Sequence, residues 1–392
     1  MSEGLSGWQD YLLGEIAQVQ TGPFGSQLHM SDYKMEGVPI ITVEHLGENK
    51  ILHHNLPLVG DEDRKRLIKY TLQEGDIVFS RVGSVDRRAY VSTNEDGWMF
   101  SGRCLRVRAN KDIIEPRFLS YYFGQESFKE TIRRTAVGAT MPSINTAILS
   151  DMQLFIPSLP EQQAIANVLS SLDDKIDLLH RQNKTLESMA ETLFRQWFIE
   201  EAQEEWDTGI ILDEFDFTMG QSPVGSSFNE SGVGVPMFQG NADFGFRFPA
   251  ARVYTTEPTR LAKKNDTLIS VRAPVGAQNM ADKECCIGRG VAAFRYRKNT
   301  DYYTYTYFKM RSLMAEIKQF NDEGTVFGSI GKSDFESLGL GLPPNQLIRR
   351  FEDEVKPIND KVIKNCRQLR TLEKLRDTLL PKLMSGEVTV IN

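Results

Sequence analysis

Residues 157–197 read PSLPEQQAIANVLSSLDDKIDLLHRQNKTLESMAETLFRQW, and residues 343–383 read PPNQLIRRFEDEVKPINDKVIKNCRQLRTLEKLRDTLLPKL. In the first stretch Ile165, Leu169, Leu172, Ile176, Leu179, Asn183, Leu186, Ala190, Leu193 and Trp197 follow one another by alternating steps of four and three. Adding 186 to each number gives Phe351, Val355, Ile358, Val362, Asn365, Leu369, Leu372, Arg376, Leu379 and Leu383. Such spacing keeps side chains on one helical stripe and is the seam of a coiled coil. A short leucine-rich helix is more simply a core helix; the length and repetition of this stripe decide for a seam. Asn183 aligns by offset with Leu369, and Asn365 with Leu179, so the two asparagines are not copies of one position. Because a seam asparagine fixes register at some cost in stability, the two helices are expected to pair with each other, antiparallel, each asparagine helping to set register. Pro357 predicts a second helix in two pieces. Proline punctuation precedes each helix as a hinge, Ile156-Pro157-Ser158-Leu159-Pro160-Glu161-Gln162 and Leu342-Pro343-Pro344-Asn345-Gln346.

Outward from the helices, the whole chain is written twice. Trp8 and Trp206, and Gly22 in Thr21-Gly22-Pro23 and Gly220 in Met219-Gly220-Gln221-Ser222-Pro223, both stand 198 apart. Val38-Pro39-Ile40-Ile41 matches Val235-Pro236-Met237-Phe238, and Gly75-Asp76-Ile77-Val78-Phe79-Ser80-Arg81 matches Asn265-Asp266-Thr267-Leu268-Ile269-Ser270-Val271-Arg272, each a β-like run after a polar turn. Gly102-Arg103 with Gly288-Arg289, Ser143-Ile144 with Ser329-Ile330, and Lys175 with Lys361 all differ by 186. The excess in the first half is placed at Leu46 to Lys69, an extra loop with two histidines and the basic run Arg64-Lys65-Arg66. The expected architecture is α+β: two similar α/β domains separated by two long helices that pair as an antiparallel coiled coil, in a pseudo-two-fold internal repeat.

At 392 residues the chain has room for two or three domains. With 40% hydrophobic and 25% charged residues it reads as an ordinary globular protein. No apolar run approaches the roughly 20 residues that cross a bilayer, and Met1 to Asp10 carries neither a basic cluster nor an apolar stretch, so a soluble, cytoplasmic protein without membrane contact is expected. Cys104, Cys285, Cys286 and Cys366 lack paired zinc-site spacing and suit a reducing compartment; adjacent Cys285 and Cys286 read as buried small apolar residues. The net charge of −7 excludes a generically basic nucleic-acid binder, so any such site must be local or completed by partners.

Apparent catalytic motifs dissolve on inspection. Gly331-Lys332-Ser333 would need a glycine at Val326 to end a phosphate loop, and Gly232-Val233-Gly234 lacks the third glycine and preceding strand of a dinucleotide fingerprint and reads as a flexible turn. His29, His45, His53, His54 and His180 form no HExxH, and no Gly-x-Ser-x-Gly elbow is present. Glu354-Val355-Lys356 is similar to the end of a metal-dependent nuclease signature, but it falls on the seam helix, where flanking charges are solvated surface. Leu342-Pro343-Pro344-Asn345 lacks the leading asparagine and the aromatic of a methyltransferase segment. No catalytic residue and no metal site is expected.

Arginine remains, clustered on the β-like parts: Arg81, Arg87, Arg88, Arg103, Arg106 and Arg108, then Arg272, Arg289, Arg295 and Arg297. Arginine grips phosphate and pairs bidentately with guanine, whereas alternating arginines such as Arg106-Val107-Arg108 also describe the wet face of a strand. Matched placement singles out Arg103 and Arg289; Arg81, Arg87, Arg88 and Arg272 complete the DNA-binding candidates. On these grounds alone a duplicated domain with helices is equally a coiled-coil scaffold for protein or RNA.

The order of domain, hinge, long helix, second domain, hinge and second helix closely resembles the specificity subunit of type I restriction-modification systems. Segments carrying the resemblance are Trp8 to Gly22, Gly75-Asp76-Ile77-Val78, Pro157-Ser158-Leu159-Pro160-Glu161-Gln162-Gln163 and Leu379-Leu380-Pro381-Lys382-Leu383-Met384-Ser385-Gly386-Glu387, and it spans essentially the whole chain. It implies target-recognition domains over 1–157 and 206–343, helical regions over 158–205 and 344–392 that dock methyltransferase subunits, and restriction subunits joining that core. It also implies that double-stranded DNA is the target, and that S-adenosylmethionine, ATP and magnesium belong to the partners and not to this chain. Asn345-Gln346, where Glu161-Gln162 stands in the first half, departs from the pattern. A helix from Ile165 to Trp197 would span about 50 Å, enough to separate two readers by the roughly 34 Å of one DNA turn. The expected target therefore has two unlike halves and an unread spacer, which a heptad inserted in both helices should lengthen.

Overall fold

The computed structural model of the chain describes residues 7–25, 27–203, 205–314 and 329–390. The chain forms two compact units, Met1–Lys175 with Leu372–Asn392, and Ile176–Thr371. Each unit thus combines one sheet domain with one end of each long helix. The helices are Leu159–Arg195 (α1), continued by a π-turn Gln196–Glu200, and Asn345–Met384 (α2).

In the first unit β1 (Ala17–Thr21), β2 (Ile77–Ser80), β3 (Arg88–Tyr90) and β4 (Cys104–Ala109) form an antiparallel sheet in the order β1-β4-β2-β3. Strand β2 is buried on both faces, so its alternation divides two cores. Ile77 and Phe79 join Leu105, Val107 and the helix Pro116–Tyr122, while Val78 joins a smaller sheet through Ile40, Val59, Met99 and Phe100. That smaller sheet runs Tyr33–Lys34, Leu58–Val59, Val38–Ile41, Met99–Phe100, with the last pair parallel. Gln9–Leu12 pairs with Gln153–Ile156 just before the hinge, and Trp8 packs on Phe155 at 5.3 Å.

The second unit repeats this plan. Phe215–Met219 (β5), Thr267–Ser270 (β6), Gln278–Met280 (β7) and Val291–Tyr296 (β8) follow the order β5-β8-β6-β7, again antiparallel. Val235–Phe238 and Cys285–Ile287 form the matching parallel pair. Backbone pairing gives a residue-by-residue correspondence: Ile77 opposes Val107 as Thr267 opposes Phe294, and Ser80 opposes Cys104 as Ser270 opposes Val291. The glycines that opened each half sit where no side chain fits, since a Cβ on Gly22 would lie 2.1 Å from the Ser101 carbonyl oxygen and one on Gly220 2.1 Å from that of Gly288.

Pairing also locates the insertion. Val59 matches Thr255, 196 apart, while Thr71 matches Leu261, 190 apart. Three of the twelve extra residues lie between Val91 and Met99, where seven residues stand against the four between Ala281 and Cys286, and six are the helix Asp61–Arg66. His53 and His54 precede it, so the span expected from Leu46 is too wide at its N-terminal end.

Every seam residue of α1 and α2 is buried or half-buried, as the heptad spacing predicts. In the second unit the segments are antiparallel: Asn183 meets Asn365 and Cys366, while Phe194 and Trp197 meet Phe351. In the first unit Asp173 meets Arg376, and Ile165 and Leu169 share a core with Leu383 and Met384. Pro357 does not divide α2, which is one helix from Asn345 to Met384. Pro357 lies on the exposed side, as does Asp353 four residues earlier, so water can replace the lost hydrogen bond at that carbonyl.

The remaining motifs resolve structurally. Val326 lies outside the described residues; Gly331 donates its N–H to the Asp334 carboxylate (2.7 Å) at the start of the short helix Lys332–Ser337, so a side chain already occupies that end. Gly232 and Gly234 take φ of +83° and +90° in a turn. Val355 is buried in the seam, with Glu354 paired to Arg350 (3.1 Å) and Lys356 over the Tyr303 ring. All four cysteines are free and buried, and burial pushes the Cys104 and Cys285 thiols up to about 12.

Candidate nucleic-acid interface

Arginine on a strand can support the fold or face solvent, and its partners decide which. Arg108 grips Asp76 with Nε and Nη2 (2.8 and 2.6 Å), and Arg295 pairs with Asp266 at the equivalent position. Both aspartates close the turn before their strand by accepting a backbone N–H, from Gln73 and Lys263 respectively. Burial raises the Asp266 carboxyl despite the Arg295 guanidinium. Arg106 is buried and donates to the carbonyls of Lys69 and Thr71. Arg297 holds Asp216 and the Leu212 carbonyl.

Arg88 is a correction. The sequence places it among the DNA-facing residues, but it is only 4% exposed, and Nε donates to the Ser120 carbonyl at 2.9 Å. The equivalent residue is Gln278, whose Nε2 donates to the Tyr307 carbonyl at 2.6 Å. Both side chains tie the edge strand to the helix beneath it, so Arg88 holds the fold.

The other five candidates lie at one end of each large sheet, with no carboxylate in ion-pair reach among the described residues. Arg81 follows β2; its N–H donates to the Arg103 carbonyl (2.8 Å), its Nη1 donates to the Gly102 carbonyl (3.3 Å), and its guanidinium lies 5.4 Å from the Phe24 ring centroid. Arg87 closes the β2–β3 turn, its carbonyl accepting from the Ser80 N–H. Beside them the Val137–Ser143 segment is pinned by Gly83 N–H to Pro142 O (2.8 Å) and Ile144 N–H to Arg81 O (3.0 Å). Exposed Phe24, Val137 and Met141 flank the arginines. Arg81, Arg87 and Arg103 thus form one cationic cluster with apolar neighbours.

In the second domain Arg272 and Arg289 are exposed at the same sheet end, but not on the same backbone positions. Val271 donates its N–H to the Gly290 carbonyl as Arg81 does to Arg103, and Arg272 bridges Ser329 as Val82 bridges Ser143. Gly288 O accepts from Val291 as Ser101 O accepts from Cys104. Arg81 therefore matches Val271, Arg272 matches Val82, Arg103 matches Gly290 and Arg289 matches Gly102. The equivalence of Arg103 and Arg289 expected from the 186 offset is wrong by one residue. Sequence reasoning missed Arg260: it is exposed, and its carbonyl accepts from Ile287 (2.9 Å) beside the Gly288-Arg289 turn. Only strand pairing brings it there, and no motif marks it.

A family model for the type I restriction modification DNA specificity domain matches residues 5–188 and again 204–348. The chain belongs to the type I restriction-modification DNA specificity family. It is 32% identical over 376 residues to a putative type I restriction enzyme MjaX specificity subunit of Methanocaldococcus jannaschii, covering 90% of this chain and 88% of that one. It is 22% identical to the HindI specificity subunit of Haemophilus influenzae, covering 98% and 100% respectively. The fold is that of the solved type I restriction-modification S subunit from M. genitalium, with a TM-score of 0.69 at 18% identity over 98% of this chain and 97% of that one.

In this specificity-family chain, each sheet domain is anchored to its own helix segments by different side chains. In the first unit Asp173 of α1 accepts from Tyr121 Oη (2.6 Å) and pairs with Arg376 (3.0 Å), while buried Gln162 accepts from the Glu115 N–H (2.9 Å). In the second, Glu187 of α1 pairs with buried Arg247 and with Arg311 (2.7 Å), and the Arg247 guanidinium stacks 3.9 Å from the Tyr307 ring. The hinge departure is also explained: by the helix register Ile348 fills the buried place of Gln162, and Asn345 accepts instead from Tyr296 Oη (2.9 Å). No helix among the described residues is long and apolar enough to cross a membrane, and no three metal-ligating side chains gather there.

Proposed function

We propose that this chain is the DNA-reading specificity subunit of a type I restriction-modification complex, that it is non-catalytic itself, and that it reads a target of two unlike parts separated by an unread spacer. One observation carries the reading: two sheet ends with matching backbone hydrogen bonds carry different side chains at equivalent positions, half-buried Arg81 against buried Val271, Val82 against exposed Arg272, exposed Arg103 against Gly290 and Gly102 against exposed Arg289. A frame so repeated conserves the docking geometry, while the changed side chains alter which base edges can be hydrogen-bonded. Arg81, Arg87, Arg103, Arg272 and Arg289 lack carboxylate partners among the described residues in a chain of net charge −7, so their charge is available to a polyanion.

In this reading methyltransferase subunits dock on the helical regions and restriction subunits join them. S-adenosylmethionine, ATP and magnesium serve those partners, and the complex works in the cytoplasm. The specificity-subunit relatives support the assignment of partners.

The deciding experiment is modified-base sequencing of DNA from cells expressing the chain with its cognate methyltransferase subunit, against cells expressing the methyltransferase alone. A methylated motif in two separated parts that depends on this chain is the expected result. No new motif, with the partner bound and active, would move the assignment to a scaffold.

A further inference from the structure

The helix Asp61–Arg66 is the largest insertion that strand pairing places in the first domain, and its place in the fold gives it a use. It carries its acids, Asp61, Glu62 and Asp63, in the first turn and its bases, Arg64, Lys65 and Arg66, in the last. Arg66 pairs with Asp63 (2.5 Å) and donates from Nη2 to the Gln27 carbonyl (2.7 Å). Tyr70, just beyond the helix, donates from Oη to Gln27 Oε1 (2.9 Å). Gln27 in turn donates its N–H to the Phe24 carbonyl (2.7 Å), and Phe24 lies against Arg81. A chain of hydrogen bonds therefore ties the basic end of the inserted helix to Phe24, the neighbour of the exposed arginine cluster.

The side chains left over at that end face solvent. Lys65 and Lys69 are exposed, with no carboxylate in reach among the described residues, and Ile68 between them is 62% exposed. The Lys69 backbone is fixed from below, its carbonyl accepting from Arg106 Nη1 (3.3 Å), and its ammonium lies over the Tyr70 ring at 4.8 Å. Two lysines offer point charges and no bidentate fork, which suits phosphate rather than base edges.

We infer that the inserted helix and the turn Ile68–Tyr70 that follows it form a phosphate clamp of the first domain: Lys65 of the helix and Lys69 of the turn contact the DNA backbone beside the half-site faced by Arg81 and Arg103. The inference rests on the DNA-reading function proposed above. It makes the two half-sites unequal, the first held by more sequence-independent contacts than the second.

The test is the salt dependence of binding of the full chain, with its methyltransferase partner, to a fluorescent duplex of random sequence, between about 50 and about 200 mM salt. Each phosphate contact contributes about 0.9 to the slope of log K against log salt, so Lys65→Ala/Lys69→Ala should flatten it by about 2. Lys111→Ala, exposed beyond the opposite end of β4, should leave it unchanged. The methylated motif should be that of the unsubstituted chain, because phosphate contacts carry no base information. An unchanged slope in the double variant overturns the clamp, as does a loss of methyltransferase binding with DNA affinity retained, which would assign the patch to a protein partner. Failure of the DNA-reading function itself looks different: the unsubstituted chain would show no salt-dependent binding and no motif.

Discussion

Asn365 donates from Nδ2 to Oδ1 of Asn183 at 2.9 Å, with both side chains buried, at 0% and 1% exposure, between α1 and α2. The same Nδ2 reaches Gln182 Oε1 (3.2 Å), and Asn183 Nδ2 points at Cys366 Sγ (3.5 Å). The two asparagines are not copies within the repeat, yet antiparallel pairing brings them to one level. Each satisfies part of what the other would otherwise leave unpaired in an apolar seam.

A single replacement should therefore be worse than a double one. Asn183→Leu leaves Asn365 buried without its main partner and should cost about 1–3 kcal/mol. Asn183→Leu/Asn365→Leu should recover most of that loss while admitting other registers of the helix pair. Urea denaturation of the three variants gives the coupling, and equal losses that simply add in the double variant would deny the pairing.

Arg88→Ala should destabilise the first unit by about 1–3 kcal/mol, since it leaves the Ser120 carbonyl without its donor. Arg88→Gln should recover part of this, because Gln278 performs the same task in the second domain. Neither change should alter the methylated motif. An altered motif with unchanged thermal stability would return Arg88 to the DNA-facing set.

The seam was legible because heptad burial is a property of spacing alone, and the landmarks Trp8, Gly22, Asp76 and Ser80 were legible because their counterparts keep residue type. The candidate site was legible only as a set of arginines. Gly102-Arg103 and Gly288-Arg289 look alike as dipeptides, but the hydrogen bonds at Ser101 and Gly288 shift one against the other by a residue. Whether an arginine faces water depends on partners far along the chain, Ser120 for Arg88 and Asp76 for Arg108, and no local pattern reports those. Pro357 misled for a related reason, since its cost depends on which side of the helix meets water.

Because the exposed arginines stand at unlike positions, their substitution should act on one half of the target each. Arg103→Ala should relax or weaken only the first part of the methylated motif, and Arg289→Ala only the second. A lost bidentate base contact costs about 1–3 kcal/mol at one base position, whereas a lost phosphate contact weakens all sequences alike. Modified-base sequencing distinguishes the outcomes, and a variant that altered both halves would contradict the separation of the two readers.

Glu352 links the second domain's stability to pH. It is buried and accepts the N–H groups of Thr304 and Tyr305 (3.3 and 2.8 Å) in the first turn of the helix Tyr303–Ser312. Burial pushes its carboxyl up to about 7, with the two backbone donors and Lys356 acting the other way. Between the ordinary carboxylate range and that value the folded state keeps a proton the unfolded state has lost, so stability is greatest below the range and falls as pH rises through 7. The loss is bounded at roughly 3 kcal/mol. Glu352→Gln keeps an acceptor oxygen for the Tyr305 N–H, turns its amide nitrogen to the weaker Thr304 contact at a cost that does not vary with pH, and removes the titration. The urea midpoint of the unsubstituted chain should fall between about pH 5.5 and about pH 8 by more than that of the variant. Equal falls in both would show that Glu352 is ionised throughout and that its charge is stabilised by the helix N-terminus it faces.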